Sequence, residues 1–261
     1  MTKARFSVGF TGVVALAAFL RLFALGFWHQ LLFDESYYVK DAISLRLFGA
    51  ELVWRKSANS VLEAGTLPSP MPRAEMISHP PLGKWLISIG FDWFGPTDPM
   101  GWRITSALAG ILAVALVIAI ARLVFENDVI ALLSGLFMAV DGTAIMLSRV
   151  AMLDGFLALF VLLAWWCYLK AFSAERPPLW LVSSGIFLGA SISIKWSGLW
   201  FAIALVTFAA LRTRQRWSAV WRITLPAFLT YLTGWFGWLF GSVGLNRGFG
   251  GNPVSGFIKL H

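Results

Sequence analysis

The sequence predicts an all-α, polytopic membrane protein. Of its 261 residues 58% are hydrophobic and 13% charged, where soluble domains carry roughly 25% charge. Mean hydropathy is +0.74. Apolar runs near the ~20 residues that a bilayer requires are separated by short basic clusters. These runs cover residues 7–28, 102–123, 128–147, 151–170, 179–195, 197–211 and 223–241, about seven crossings, some of them short. The whole chain, 1–261, reads as one transmembrane domain, and no internal repeat of the kind many transporters carry is visible.

The first run follows Lys3 and Arg5 and has the basic start and apolar centre of a signal peptide. Its length and Arg21 favour an uncleaved anchor. Arg122 closes the second run, Lys170 and Arg176 follow the fourth, and Arg212, Arg214, Arg216 and Arg222 follow the sixth. All these clusters fall on one side, which the positive-inside rule makes cytoplasmic. The N-terminus is then cytoplasmic and residues 29–101 form an extracytoplasmic loop in a multi-pass protein of the cytoplasmic membrane. Within that loop, 42–48 and Leu82 to Phe94 read as amphipathic or interfacial helices, and Gly65 to Pro72 as an irregular connector.

Composition also excludes functions. A net charge of +8 invites a nucleic-acid reading, but the cations are dispersed between apolar spans and form no basic face. The 14 Trp and 22 Phe suit interfacial belts and helix packing without any ligand. Cys167 is the only cysteine, so neither an internal disulfide nor a thiolate cluster forms. His29, His79 and His261 lack metal-ligand spacing, and there is no Gly-rich phosphate loop or Asp-X-Asp motif. No cofactor is expected. A divalent cation held by loop carboxylates would leave no readable motif.

The chemistry-bearing residues cluster at the outer face. Asp34 and Glu35 follow the first span directly, where partial desolvation raises a carboxylate's basicity. An isolated acidic pair often only ends a helix, but Tyr37, Tyr38 and Asp41 extend this one into a polar, aromatic strip that suits a carbohydrate or phosphate. His79-Pro80-Pro81 is a stiff, extended segment that presents Lys84 as a compact cation. Arg103 and Arg149, at outer ends of spans, add planar donors. Asp154 lies inside an apolar run at a cost of about 3 kcal/mol by insertion scales, so it needs a partner or a task. Lys195 and Trp196 end the fifth span, where snorkelling beside an aromatic belt is the plain alternative to a role in a site.

Phe33-Asp34-Glu35-Ser36-Tyr37-Tyr38-Val39-Lys40-Asp41-Ala42, His79-Pro80-Pro81-Leu82-Gly83-Lys84-Trp85, Arg149 with Met152-Leu153-Asp154, and Ile194-Lys195-Trp196-Ser197-Gly198-Leu199 together resemble the polyprenyl-phosphate-mannose–protein mannosyltransferases in their bacterial form. Gly101-Trp102-Arg103 and the stretch Tyr231 to Phe240 resemble the same family, and the likeness spans nearly the whole chain. It implies a membrane glycosyltransferase of the GT-C type that moves mannose from a polyprenyl monophosphate to Ser or Thr of an exported protein, with inversion. By motif, Asp34 is the expected base and Glu35 its neighbour. Lys84, Arg103, Arg149 and Lys195 are the expected phosphate-binding cations, and Tyr38, Asp41, His79, Asp154 and Trp196 shape the site. The implied partners are the lipid-linked donor, Ser/Thr-containing exported polypeptides, membrane lipid and the export machinery, with no nucleic acid.

Two departures stand out. Eukaryotic relatives carry an acid just before His-Pro-Pro, where this chain has Ile77-Ser78. Family members also continue beyond the seventh span with further helices and another outer segment, so a fragment, or a half that needs a partner, is expected. The rival readings are a sister enzyme moving another sugar, such as aminoarabinose, to a lipid, an inactive truncated fragment, and, less favoured, a transporter using Arg149, Asp154 and Lys195.

Overall fold

The computed structural model describes residues 1–75, 77–172, 177–212 and 216–240, together with 243–244, 248–249 and 252. Arg176 and Arg214, two of the basic residues used above for orientation, lie outside them. The helices in order are α1 (Lys3–Leu22), α2 (Glu35–Phe48), α3 (Ala58–Glu63), α4 (Leu82–Phe94), α5 (Pro99–Phe125), α6 (Asp128–Val140), α7 (Gly142–Arg149), α8 (Leu153–Lys170), α9 (Pro177–Ile194), α10 (Gly198–Arg212), α11 (Arg216–Gly234) and α12 (Phe236–Phe240). Strand is confined to two antiparallel pairs, β1 (Leu52–Trp54) with β2 (Pro70–Ala74) and β3 (Val243–Gly244) with β4 (Gly248–Phe249).

Among the described residues α1, α5 and α8 are long and apolar enough to cross a bilayer, and α6 with α7 qualifies as one span bent by 58°. Residues 178–194 and α10 are apolar but shorter. The crossing predicted at 128–147 is therefore a broken one. Asp141 causes the break locally: its carboxylate accepts the Ala144 N–H at 2.7 Å and caps α7, which ends α6 one residue earlier. The Met138 and Ala139 carbonyls orphaned by the break accept from the buried Arg21 guanidinium at 3.2 and 3.1 Å.

α5 is the axial element, packed on α1, α4, α6, α7 and α8, while α9 joins α8 to α11. Two crossings bring backbones into contact. A Cβ on Gly90 would lie 2.1 Å from the Gly101 carbonyl oxygen, so α4 meets the start of α5 with no side chain between them. Gly185 and Gly189, one turn apart on α9, face the Ile223 and Ala227 carbonyls of α11 in the same way, the small-residue spacing that lets membrane helices approach closely.

The segment 29–101 differs from expectation in two places. The helix expected at 42–48 begins earlier, at Glu35, and the Pro-rich connector supplies β2, paired across to β1. β2 lies at the edge of a two-stranded sheet, where a proline's missing donor costs little. The helix expected over Leu82 to Phe94 is α4 itself.

Candidate active site

The first span runs apolar to residue 28, yet α1 ends at Leu22. Two arginines from later helices take the carbonyls that a longer helix would have used. Arg149 Nη1 donates to the Leu20 and Phe23 carbonyls at 2.9 and 2.8 Å. Arg103, 2% exposed, donates from Nη1 to Leu25 and Trp28 and from Nη2 to Gln30, at 3.4, 2.8 and 2.8 Å. The chain leaves α1 as a turn, with Ala24 and Phe33 both at φ 51°, a left-handed conformation that non-glycine residues adopt only when their surroundings hold them there.

Glu35 closes this arrangement. Arg103 Nε and Nη2 reach its two carboxylate oxygens at 2.7 and 2.8 Å, and the Ala151 and Leu32 amides donate to them at 2.8 and 2.9 Å. The carboxylate is fully buried and satisfied by charge-assisted bonds. All five N–H donors of Arg103 are consumed, so it has none left for a phosphate. Glu35 and Arg103 together hold the loop after α1, the start of α5 and the α7–α8 turn in one place.

That anchoring turns the neighbouring residue outward. Asp34 is exposed and forms no ion pair among the described residues; the Tyr38 hydroxyl donates to its Oδ2 at 3.4 Å. It lines a small cavity of about 170 Å³ with Met146, Leu147, Val150 and Met152. Tyr38 lies 6.3 Å, centroid to centroid, from the His79 ring. Burial, then the nearby charges of Asp34 and Asp154, raise the Tyr38 pKa, so the phenol stays protonated. Burial and then the positive fields of Lys195 and Lys84 lower that of His79, which is neutral at pH 7.

Lys195 follows α9 and forms one ion pair among the described residues, to Asp154 Oδ1 at 2.9 Å, with the two side chains 24% and 33% exposed. Lys84 is in the opposite situation. Its ammonium is buried and donates to Glu51 Oε1, Asp41 Oδ2 and the His79 carbonyl at 3.0, 3.1 and 3.3 Å. Burial works against its charge, but Glu51 and Asp41 outweigh it and raise the pKa. Burial pushes Asp41 up to about 6 against the pull of Lys84. Trp196 borders an apolar groove of about 720 Å³ between α9, α10 and α11, lined also by Ile192, Leu199, Phe228 and Tyr231.

Asp34, Tyr38, His79, Asp154 and Lys195 thus share one electrostatic neighbourhood. Lys84, with Asp41, sits beneath it as a closed cluster, Arg103 is sealed with Glu35, and Arg149 is tied to the end of α1. Glu51 and Glu63 escaped sequence reasoning, and Arg21 was read only as a mark of an uncleaved anchor. Glu51 pairs with Lys84, Glu63 Oε1 accepts the Leu31 N–H at 2.9 Å, and Arg21 bridges the α6–α7 break. Glu51 and Arg21 each interrupt an apolar stretch alone, and that isolation was the available signal.

The sequence profile described as Dolichyl-phosphate-mannose-protein mannosyltransferase matches residues 73–245, two thirds of the chain. The chain belongs to this mannosyltransferase family. The polyprenol-phosphate-mannose–protein mannosyltransferase of Mycolicibacterium smegmatis (strain MKD8) is 29% identical over 278 residues, covering 90% of this chain and 50% of that protein. The enzyme of the same name from Mycobacterium tuberculosis is 28% identical, covering 91% and 50%. The chain therefore spans about half the length of these curated relatives. Among solved structures, the Saccharomyces cerevisiae protein O-mannosyltransferase Pmt1-Pmt2 complex bound to the sugar donor superimposes with a TM-score of 0.65 at 21% identity, over 90% of this chain and 33% of that one. The Archaeoglobus fulgidus oligosaccharyltransferase in the apo form gives 0.66 at 16% identity, over 99% and 32%. These likenesses show the fold to be the GT-C type that the mannosyltransferase family uses.

Proposed function

We propose that the protein acts in transfer of mannose from a polyprenyl monophosphate carrier to Ser or Thr hydroxyls of exported polypeptides, with inversion at the sugar carbon. The observation that carries this reading is the contrast between adjacent carboxylates. Glu35 is buried and saturated, whereas Asp34 is open, held among the described residues by Tyr38 alone, and free to accept a proton. Asp34 takes the acceptor hydroxyl proton, the oxygen attacks C1, and the C1–O bond to phosphate breaks in the same displacement. The leaving group departs as polyprenyl phosphate, gaining one negative charge without needing a general acid.

A cation must offset that charge. Lys195 suits this better than the other three expected cations, because only a half-buried ion pair, to Asp154, has to exchange for the phosphate. Arg149 is second, since both its bonds use Nη1. Lys84 and Arg103 are given supporting roles, positioning α2, α4 and the loop that carries Asp34. His79 and Asp154 shape the site around the sugar, and the groove beside Trp196 suits the apolar carrier tail. The placement is extracytoplasmic in the cytoplasmic membrane, with the N-terminus cytoplasmic and about seven crossings, so that acceptors are met as the export machinery releases them. The family match speaks against another sugar.

The test is transfer of labelled mannose from polyprenyl phosphate mannose to a Ser/Thr-rich peptide, in membranes holding the protein or its Asp34→Asn variant. The variant is expected to lose transfer while still binding labelled donor. Equal transfer by both would remove Asp34 from the mechanism.

A further inference from the structure

The opposite ends of the same helices carry a second cavity. It measures about 890 Å³ and is bounded by the start of α1, the end of α5, the start of α6 and the end of α8. Arg103 and Arg122 mark the two ends of α5. Nineteen residues at ~1.5 Å per residue separate them by roughly 29 Å, the hydrocarbon thickness of a bilayer. The cavity therefore lies in the other leaflet from Asp34, too far away to belong to that site.

Its lining changes in one direction. Phe10, Ile118 and Leu123 form an apolar wall that grades into a rim holding the cations Arg122 and Lys170 and the acids Glu126 and Asp128, the latter already paired with Arg122 and the Met1 ammonium. Arg122 Nε donates to Asp128 at 2.8 Å and its guanidinium lies 3.9 Å from the Phe6 ring centroid. Its Nη1 and Nη2 have no partner among the described residues, and the side chain is 47% exposed. Lys170 has no hydrogen-bond or ion-pair partner among the described residues; its ammonium stands 5.9 Å from the Trp166 ring centroid. Two cations with spare donors, fixed by aromatic faces at the mouth of an apolar recess between membrane helices, match a phosphate attached to an acyl chain. A zwitterionic lipid gains less, because its own ammonium competes for the phosphate.

We propose that this cavity binds one anionic glycerophospholipid, with the phosphate on Arg122 and Lys170 and an acyl chain along Phe10, Ile118 and Leu123. The inference is independent of the mannosyl-transfer reading, and it makes the leaflet opposite the catalytic site a second place where membrane composition acts on the protein.

The experiment is native mass spectrometry of the purified protein with phosphatidylglycerol, phosphatidylcholine or inorganic phosphate added in parallel. One phosphatidylglycerol adduct is expected to survive detergent removal, at least tenfold more populated than the phosphatidylcholine adduct, with none from inorganic phosphate. Arg122→Gln with Lys170→Gln should abolish the preference. Lys170→Gln alone, which breaks no hydrogen bond, should reduce it severalfold. Arg122→Lys with Lys170→Arg should keep it, and so should Arg212→Gln, a basic helix end outside the cavity. Equal retention of both lipids, an unchanged preference in Lys170→Gln, or equal loss in Arg212→Gln would overturn the proposal. Competition by inorganic phosphate at equal concentration would also overturn it, by identifying a plain anion site.

Discussion

Glu35→Gln tests how this structure divides two adjacent carboxylates between holding and reacting. In the wild type, Glu35 accepts from Arg103 twice and from two backbone amides, all at 2.7 to 2.9 Å and all buried. The amide cannot accept on its nitrogen side, so the Arg103 charge stays buried with half its counter-ligand gone, and the Leu32 or the Ala151 amide is left facing a donor. Removing one partner of a buried pair costs about 3–5 kcal/mol, about a fifth or more of the ~5–15 kcal/mol that holds a typical domain together. Asp34→Asn touches an exposed group with one long hydrogen bond, so its expected change is within about 0.5 kcal/mol. The assay is denaturant or thermal unfolding of both variants in the same detergent, followed by mannose transfer in membranes. Glu35→Gln should unfold early; Asp34→Asn should unfold with the wild type and yet be inactive. Replacing the pair with apolar side chains, Glu35→Leu with Arg103→Met, strands no charge but leaves the Leu25, Trp28 and Gln30 carbonyls and the Leu32 and Ala151 amides without these partners, so it should recover only part of the stability lost. If Glu35→Gln is as stable as the wild type and inactive, Glu35 acts chemically and the division proposed here is wrong.

Lys84→Met should destabilise by a similar ~3–5 kcal/mol, since it strands Asp41 and Glu51 in the interior, whereas Lys195→Met should change stability by less than about 1 kcal/mol and instead raise the donor concentration needed for half-maximal transfer; a reversed order would exchange the roles given to the two lysines. Burial raises the Asp41 pKa to about 6, above the ~4 of an unfolded aspartate, so the folded state binds the extra proton: this group's contribution is largest below ~pH 4 and is lost as pH rises to about 6. Asp41→Asn should flatten that part of a stability-against-pH curve, and an unchanged slope would remove Asp41 as its source. Gly90→Ala would place a methyl 2.1 Å from the Gly101 carbonyl oxygen and should cost about 1–3 kcal/mol by forcing α4 from α5, readable as a lowered Tm; an unshifted Tm would mean that the crossing yields freely.

The sequence carried the membrane character, the helix at α4 and the gathering of polar residues at one end of the bundle, because each depends on local composition and period. Asp34 could be singled out for the same reason, from its position just past an apolar run. Pairing could not be read this way. Arg103 and Lys84 read as free cations because their partners stand at separations of 68 and 33 residues, and spacing gives no hint of a saturated donor. The end of α1 was missed on similar grounds: residues 23–28 are apolar enough to continue the helix, but arginines from α5 and α7 satisfy their carbonyls in a turn instead. The break at Asp141 was legible as a capping residue inside an apolar run, and was overridden by the continuity of the hydrophobic pattern around it.

The clasp on Glu35 also sets a clock for biosynthesis. Its carboxylate is made early, but the Arg103 guanidinium comes 68 residues later and the Ala151 amide 116 residues later. At ~5–20 residues per second, the second interval is roughly 6–23 s. Throughout that time the segment after α1 carries an unpaired carboxylate and several unclaimed carbonyls, which only interfacial water can satisfy. The segment bearing Asp34 therefore cannot take its final shape until α5 and the α7–α8 turn have both been delivered to the membrane. Competence at this end of the bundle is a late event of assembly, and translation pauses or insertion errors far downstream would be felt first at residue 35.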